Sequence, residues 1–317
     1  MYDHLNKETK ETVNQTKELR IAHNWKDWWI RYRKADEILQ ELEKALLRPV
    51  SIRPLNELIV SPAGNGKTAL LSRFRETHLA IISAAGNGKT ALVLEFSGRH
   101  PEQTTPDVQI MSVIYVLTPP SPNEGRMLSA ILKGLGYPDY DKGTVASRER
   151  MVLNALNMCQ TRLILVDEVH NMLGGYKRAE EALRVLKNIS SSIGIPIVFA
   201  GTEDALTVLK YDPQLTTRLN VIEIPLWKND EEFRRLLFLF EGTLSLMKPS
   251  QLWKDPKATK VFELSAAFDS NPDKRRAGIL VNILKLIRYA ADLAITDGTE
   301  QITINHLEQA AAKWGWK

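Results

Sequence analysis

The feature that most constrains the fold of this chain is a loop of sequence Gly-Asn-Gly-Lys-Thr, which occurs twice within residues 57–100. Residues 57–78 align without gaps on residues 79–100, and 12 of the 22 positions are identical. Each copy places the loop between a short apolar run and a helical pattern. Solenoid arrays need three or more repeats, so two copies indicate a local duplication of one strand–loop–helix unit.

The loop has the composition of a phosphate-binding turn. Glycines allow successive backbone N–H groups to curve around a phosphate, and the N-terminus of the following helix adds partial positive charge. In the full signature G-x-x-x-x-G-K-[ST], the lysine contacts the β- and γ-phosphates and the hydroxyl holds Mg²⁺. Ser61 or Ser83 replaces the first glycine here, which weakens each match because serine tolerates left-handed backbone geometry poorly. The alternative is a glycine-rich turn with a helix cap and no ligand.

A second motif further along the chain supports ATP and Mg²⁺ as ligands. Residues 162–168 have the sequence Arg-Leu-Ile-Leu-Val-Asp-Glu, which predicts a buried parallel strand with two carboxylates at its C-terminal end. In ATPases with a phosphate loop, the Asp supports Mg²⁺ and the Glu polarises the attacking water. For this motif alone, a strand followed by an acidic helix cap is the alternative. Together with the phosphate loop, Asp167 and Glu168 predict ATP hydrolysis.

One Asp-Glu pair cannot serve two nucleotide sites, so the two copies compete for it. Lys89 precedes Asp167 by 78 residues and Lys67 precedes it by 100, and only the second copy leads directly into the next predicted strand. We therefore favour Lys89 as the catalytic lysine and expect the first copy to be a spare unit, at the sheet edge or outside the sheet. The predicted nucleotide-binding residues are Ala85, Gly86, Asn87, Gly88, Lys89, Thr90 and Ala91, the predicted Mg²⁺ ligands are Thr90 and Asp167, and the rival copy offers Gly64, Asn65, Gly66, Lys67 and Thr68.

Other polar residues are candidates for contacts with the phosphates. An apolar run at residues 196–202 ends in Thr202, which we expect to position water near the γ-phosphate; an ordinary strand ending in a turn is the alternative. Arg218 precedes the last predicted strand, where an arginine finger and a surface arginine are both open interpretations. Arg275 and Arg276 begin a helix, and they either close onto phosphate or form a solvated basic turn.

Short apolar runs alternate with helical patterns from residue 55 onward, which predicts an α/β fold with a parallel sheet. The predicted strands are Leu58–Val60, Ile81–Ile82, Ile110–Leu117, Leu163–Val166, Ile197–Ala200 and Val221–Ile224, and helices are predicted between most of them. Before this region, apolar residues fall at three- and four-residue steps and predict one helical stripe. They are Trp25, Trp28, Trp29, Tyr32, Ile38, Leu39, Leu42 and Leu46. We expect a helical arm at 1–54, an α/β core at 55–227 and a small all-α domain at 228–317.

Composition adds weaker information. The net charge of +4 and the pI near 9.0 raise the expectation of a polyanionic partner only slightly. A single cysteine, Cys159, excludes an internal disulfide and a cysteine-built zinc site; we expect it to be a small buried apolar residue. No apolar run approaches the length of a membrane-spanning helix, and the first thirty residues lack the apolar segment of a secretory signal. We expect a cytoplasmic protein with no membrane contact.

The order of these motifs resembles the AAA+ ATPases, and more narrowly the TniB/TnsC family of transposition ATPases. The resemblance covers about residues 18–313. The segments that carry it are Trp28-Trp29-Ile-Arg, Arg99-His100-Pro101, Tyr115-Val-Leu-Thr-Pro-Pro-Ser-Pro122, Val166-Asp-Glu-Val-His-Asn171, Gly201-Thr202 and Asp212-Pro-Gln-Leu-Thr-Thr-Arg218. It implies a P-loop NTPase core with a helical lid at the C-terminal end. The duplicated loop departs from the single loop of the family.

The resemblance also implies a function and partners. ATP would promote assembly of subunits into a ring or filament around double-stranded DNA, without sequence preference. The assembly would recruit a DDE-type transposase, interact with a target selector of the TniQ type, and be dismantled by hydrolysis. The best matches to the family's DNA-contacting loops are Lys142, Thr144 and Arg126. Two alternatives stay open: an AAA+ ATPase of replication or repair, such as a loader, and a nucleotide-gated scaffold with little hydrolysis.

Overall fold

The computed structural model describes residues 2–83, 110–269 and 275–315. Contacts between residues divide the chain into two units. The core unit contains Glu37–Ser61 and Lys67–Ile224, and the helical unit contains Met1–Asp36, Pro62–Gly66 and Pro225–Lys317. The first 36 residues therefore belong to the same unit as the C-terminal helices.

The core unit is built on a parallel sheet. Its five strands within the described residues are β1 (Asn56–Val60), β2 (Val113–Leu117), β3 (Leu163–Asp167), β4 (Ile197–Gly201) and β5 (Leu219–Glu223). Their order across the sheet is β2-β3-β4-β1-β5, and every pairing is parallel. All residues of β1, β3 and β4 are buried, as expected for central strands of a sheet covered on both faces. This confirms the predicted α/β class.

Helices connect and cover the strands. They are α3 (Arg33–Leu47), α4 (Lys67–Ser83), α5 (Glu124–Gly134), α6 (Val145–Met158), α7 (Tyr176–Ile193), α8 (Asp204–Leu209) and α9 (Pro213–Thr216), with a 3-10 helix at Val169–Gly174. The apolar faces of α5, α6 and α7 join the strands in one core, which includes Ile131, Leu156 and Leu186. Cys159 lies in the same core, and burial raises the pKa of its thiol to about 11. The expectation of a small buried residue is confirmed.

The structure corrects the predicted place of the first loop copy. Its strand is β1, which lies between β4 and β5 rather than at the edge or outside the sheet. The predicted strand Ile81–Ile82 is wrong, because α4 continues through these residues. No glycine or proline interrupts the chain between Lys67 and Ser83, so nothing breaks the helix through the first residues of the second copy, up to Ser83.

The helical unit has an apolar core of its own. Its helices are α1 (Lys7–Thr12), α2 (Lys17–Asn24), α10 (Glu231–Glu241), α11 (Lys257–Ser265), α12 (Leu280–Thr296) and α13 (Ile304–Trp314), with a 3-10 turn at Ala266–Phe268. Phe233, Phe240 and Ile287 are among the buried residues that join these helices. Thr303 caps α13 in a capping box with His306, which satisfies N–H groups that a helix start leaves unpaired. Helices α10 to α13 lie within residues 228–317, the range that the sequence predicted to be all helical.

The N-terminal arm is less regular than its spacing predicts. Residues 25–32 are not helical, so the tryptophans do not form one helical stripe with the residues that follow. Instead, Trp25 leaves α2 and donates its indole N–H to Asp292 at 2.8 Å. Arg20, nearly fully buried, donates to the carbonyl of Ser245 and forms an ion pair with Glu300. These specific polar contacts replace the continuous helix that apolar spacing alone suggests.

Candidate nucleotide site

The loop of the first copy has the backbone of a phosphate-binding turn. Gly64 and Gly66 have φ angles of +75° and +88°, a left-handed conformation that favours glycine. A Cβ on Gly64 would also lie 2.5 Å from Cγ1 of Val281, inside the helical unit. Ser61, by contrast, is not among the residues with positive φ. The serine that replaces the first glycine of the signature therefore causes no left-handed strain, so the physical reason for expecting a weaker match does not apply to this copy.

Lys67 begins α4 with its side chain almost completely buried. Its ammonium donates to the carbonyl oxygen and to the hydroxyl of Ser61, both at 3.0 Å. Burial lowers the pKa of Lys67, because desolvation disfavours the charged form, while the nearby negative charges of Asp167 and Glu168 raise it. The side-chain nitrogen of Lys67 is thus enclosed at the end of β1.

Thr68 and Asp167 are brought together although they are 99 positions apart in the chain. The Thr68 hydroxyl donates to Oδ2 of Asp167 at 2.7 Å. Tyr115, on the neighbouring strand β2, donates its hydroxyl to the same oxygen at 2.9 Å. The backbone N–H of Glu168 donates to Oδ1 at 2.8 Å. Asp167 is fully buried, and these donors satisfy a carboxylate that would otherwise be costly to bury.

The topology of the sheet explains why Thr68 and Tyr115 lie close to Asp167. Parallel strands present their carboxyl ends at the same edge, where α/β proteins bind ligands. In the register of β2 and β3, Leu117 lies opposite Asp167, and the N–H of Thr118 donates to the Asp167 carbonyl at 3.0 Å. Tyr115 is therefore two residues before the end of its strand, on the face from which its hydroxyl contacts the carboxylate. Burial and the charge of Asp167 raise the pKa of the Tyr115 phenol well above its usual range, so it stays a hydrogen-bond donor.

The donor set fits magnesium. Mg²⁺ prefers oxygen ligands, keeps several waters, and is usually held by one or two protein groups together with substrate phosphates. A hydroxyl and a carboxylate oxygen within 2.7 Å of each other provide such a pair. Among the described residues there is no cluster of three or more His, Cys, Asp or Glu side chains that would enclose a metal without a phosphate ligand.

Glu168 follows the strand in a left-handed conformation, with φ +57° and ψ +39°. Its carboxylate lies 3.0 Å from Nε2 of His170. The other ring nitrogen of His170 accepts a long hydrogen bond, 3.4 Å, from the backbone N–H of Thr202. Thr202 lies just after β4, as predicted, and its hydroxyl is buried without a hydrogen-bond partner among the described residues.

The remaining predicted residues occupy varied positions. The second loop copy, Ala85 to Ala91 with Lys89 and Thr90, lies outside the described residues. Arg218 is half-buried immediately before β5. In the helical unit, Arg275 is exposed, and the backbone N–H of Arg276 donates to Asp269 at 2.9 Å. Their roles at phosphate stay predictions.

The predicted DNA-contacting residues all belong to the core unit. Lys142 is largely exposed and forms an ion pair with Asp139 at 2.9 Å. Thr144 caps α6 by accepting the N–H of Ser147. Arg126 donates to the carbonyl oxygens of Pro120 and Ser121, at 3.1 and 3.3 Å. All three residues are exposed.

The phosphate loop follows the central strand β1, and Thr68 connects it by a hydrogen bond to the Asp-Glu pair at the end of β3, two strands away. This arrangement narrows the range of protein families to which the chain can belong. The sequence profile of the bacterial TniB protein matches residues 20–84 and 75–229. The chain belongs to the TniB family. TniB proteins are bacterial transposition proteins with an AAA+ fold. The two matched segments overlap at residues 75–84, between the two loops, as expected for a family unit that is present twice in this chain.

Solved structures agree on the fold. The ORC2 protein of Aeropyrum pernix, in ADPNP and ADP complexes, is 16% identical with a TM-score of 0.61, covering 93% of this chain and 71% of its own. The ORC1 protein of the same organism, in complex with DNA, is 18% identical with a TM-score of 0.58, covering 92% and 69%. Cdc6p of Pyrobaculum aerophilum is 16% identical with a TM-score of 0.61, covering 91% and 69%. A search of curated proteins finds no match.

No role was predicted for Ser61, Tyr115 or His170, although all three contact the motif residues. Tyr115 and His170 lie inside segments that carry the family resemblance, yet their contacts depend on which strands are neighbours. Ser61 appeared only as a defect in the loop signature. The contact between the Ser61 hydroxyl and Lys67, six residues later, can be predicted only if the loop is known to bring the two side chains together.

Among the described residues, no helix has both the length and the apolar character needed to cross a membrane.

Proposed function

We propose that this chain is an ATP-dependent, DNA-binding regulator of transposition, and that its ATPase site is formed by the first loop copy. The observation that carries the proposal is the hydrogen bond between Thr68 and Asp167. It connects the phosphate loop with the Asp-Glu pair, the two motifs on which the binding of ATP and Mg²⁺ depends. The central position of β1, between β4 and β5, supports the same copy, because the carboxyl end of β1 lies at the same edge of the sheet as the carboxyl ends of its neighbours.

Each residue of the site has a part in hydrolysis. Lys67 would turn from Ser61 toward the β- and γ-phosphates, where its charge offsets charge that develops in the transition state. Thr68 and Asp167 would hold Mg²⁺, which neutralises phosphate charge when it is bound. Glu168 would orient and polarise the attacking water. Thr202, whose hydroxyl is buried with no hydrogen-bond partner in the part of the chain that the structure describes, would donate near the γ-phosphate.

Family membership and surface charge support the nucleic-acid part of the proposal. The partners we propose are double-stranded DNA, further copies of this chain in a ring or filament, a DDE transposase and a TniQ-type selector. The exposed ammonium of Lys142 would contact phosphate, which positions a protein without reading sequence. Arg218 would reach the nucleotide of a neighbouring subunit as an arginine finger.

The matched pair of loops supplies the decisive experiment. Steady-state phosphate release is measured for Lys67→Ala and Lys89→Ala, with and without duplex DNA. Lys67→Ala is expected to lose roughly a hundredfold or more in turnover, because a charge that stabilises the transition state is removed. Lys89→Ala, the same change in an identical local sequence, is expected to retain most of it. Loss in Lys89→Ala alone would assign catalysis to the second copy, and no turnover by the unaltered protein would refute the ATPase proposal.

A further inference from the structure

We propose that His170 is a positioning residue that holds the Glu168 carboxylate in place for hydrolysis and ties it to the end of β4. The inference rests on the proposed role of Glu168. His170 lies in the 3-10 helix that follows β3. Its Nε2 is 3.0 Å from Oε2 of Glu168, and its Nδ1 is 3.4 Å from the backbone nitrogen of Thr202. One imidazole ring thus joins the ends of two adjacent strands.

The two contacts determine which ring nitrogen carries the proton. The backbone N–H of Thr202 can only donate, so Nδ1 must offer its lone pair. The proton of the neutral ring then belongs to Nε2, which donates it to the Glu168 carboxylate. A histidine's tautomer is assigned in this way from the partner of each nitrogen. This contact uses Oε2, and among the described residues the other carboxylate oxygen, Oε1, has no partner that would keep it from contacting water.

The ring of His170 lies directly beside the end of β4. A Cβ on Gly201, the last residue of that strand, would be in ordinary van der Waals contact with Nδ1, at 3.6 Å, whereas it would clash with the Cβ of Ala205 at 2.7 Å. The glycine is therefore required by Ala205, and the ring packs at contact distance from the strand. On the other side, the left-handed backbone of Glu168, uncommon for a residue with a side chain, directs the carboxylate toward His170.

Positioning matters here because a glutamate side chain is flexible. About a third of the Glu168 side chain is exposed (35%), so apolar packing alone does not fix its rotamer. Misplacing a catalytic group by about 1 Å can lower a rate roughly a hundredfold. A hydrogen bond from Nε2 restricts the carboxylate to one region beside β4.

Two substitutions separate the two contacts. His170→Gln places an amide N–H near the position of Nε2 and preserves a donor to Glu168. His170→Asn is too short to reach Glu168 but offers an oxygen near Nδ1 for the Thr202 N–H. We expect His170→Asn to lower kcat roughly ten- to a hundredfold, with the Kd for a fluorescent ATP analogue changed by less than about twofold. His170→Gln is expected to recover most of the lost turnover.

A matched control uses a second histidine–glutamate contact among the described residues of the core unit. His78 lies 3.1 Å from Glu43 near the C-terminal end of α4, and His78→Asn removes the same type of side-chain contact without touching the site. It is expected to leave kcat unchanged. In a Glu168→Gln background, His170→Asn is expected to have no further effect on turnover, since the group it positions is gone.

The outcomes distinguish this inference from the proposed function. Normal turnover in His170→Asn, while Glu168→Gln is inactive, would overturn the positioning role and leave the ATPase proposal intact. Equal losses in the Asn and Gln variants, together with weaker nucleotide binding or a lower unfolding midpoint, would show a structural role and also overturn it. Full activity in Glu168→Gln would instead remove Glu168 from catalysis and the inference with it.

Discussion

The hydrogen bonds between Ser61 and Lys67 make a quantitative prediction about nucleotide affinity. The Lys67 ammonium donates to both the carbonyl and the hydroxyl of Ser61, each at 3.0 Å. If the lysine turns to the phosphates when ATP binds, these hydrogen bonds stabilise the nucleotide-free state and oppose binding. Only the hydroxyl can be removed by substitution. Ser61→Ala is therefore expected to bind ATP more tightly than the unaltered protein.

The expected gain can be bounded from the contact. A hydrogen bond to a charged group contributes about 1.5–3 kcal/mol, and about 1.4 kcal/mol corresponds to tenfold in affinity. The full contribution would thus tighten binding by roughly ten- to a hundredfold. Because the carbonyl of Ser61 still accepts in the variant, we expect the lower end of this range. Ser61→Gly, which restores the usual first glycine of the signature, is expected to behave similarly but with added backbone freedom.

Equilibrium titration of a fluorescent ATP analogue in Mg²⁺, at fixed salt, measures the effect. The control is the same substitution in a Lys67→Ala background, where no ammonium remains for the hydroxyl to hold and affinity should not change. Unchanged or weaker binding of Ser61→Ala beside an intact Lys67 would refute the reasoning. It would show that the lysine keeps its contact with Ser61 when the nucleotide is bound.

Three further predictions test hydrolysis, DNA binding and stability. Glu168→Gln keeps the shape of the side chain but polarises water poorly, so DNA-bound oligomers formed with ATP should persist in sedimentation or electron micrographs. Lys142→Ala should weaken DNA binding about equally on unrelated duplexes, and filter binding across a salt series should show a log–log slope smaller by roughly one. Burial raises the pKa of Asp292 from 3.8 to about 6. Its protonated form therefore contributes to the free energy of unfolding below about pH 4, and this contribution is lost as the pH rises through 6. Urea unfolding of Asp292→Asn, whose amide oxygen can still accept from Trp25, should lack this pH dependence.

Local pattern was sufficient to predict most of the sheet. The runs that became β1, β3 and β4 are short, apolar and bounded by turn residues, which is the signature of buried parallel strands. The residues at their carboxyl ends, Asp167 and Thr202, could be placed at one edge because parallel strands end together. Boundaries were less accurate: Ile110 precedes β2, which begins at Val113, and β5 begins at Leu219, before the predicted Val221.

The arm and the site contacts required information that local pattern lacks. Spacing at three and four residues cannot distinguish a helix from an irregular segment whose tryptophans find separate partners, as Trp25 does at Asp292. Tyr115 and Asp167 are separated by 52 positions, so their hydrogen bond can be predicted only if β2 and β3 are known to pair. Motifs predicted which residue types belong to the site, whereas the tertiary fold determined their partners.

The duplicated loop shows this limit most directly. The two copies share Gly-Asn-Gly-Lys-Thr, so no property of the loop itself distinguishes them. Sequence distance to Asp167 favoured the second copy, but distance along the chain is a weak guide when strand order differs from chain order. Here β1 is first in sequence yet pairs with β4 and β5, the last two strands. This pairing favours the first copy, because it brings Thr68 close to Asp167. The choice between two identical loops therefore depends on the strand to which each loop is attached.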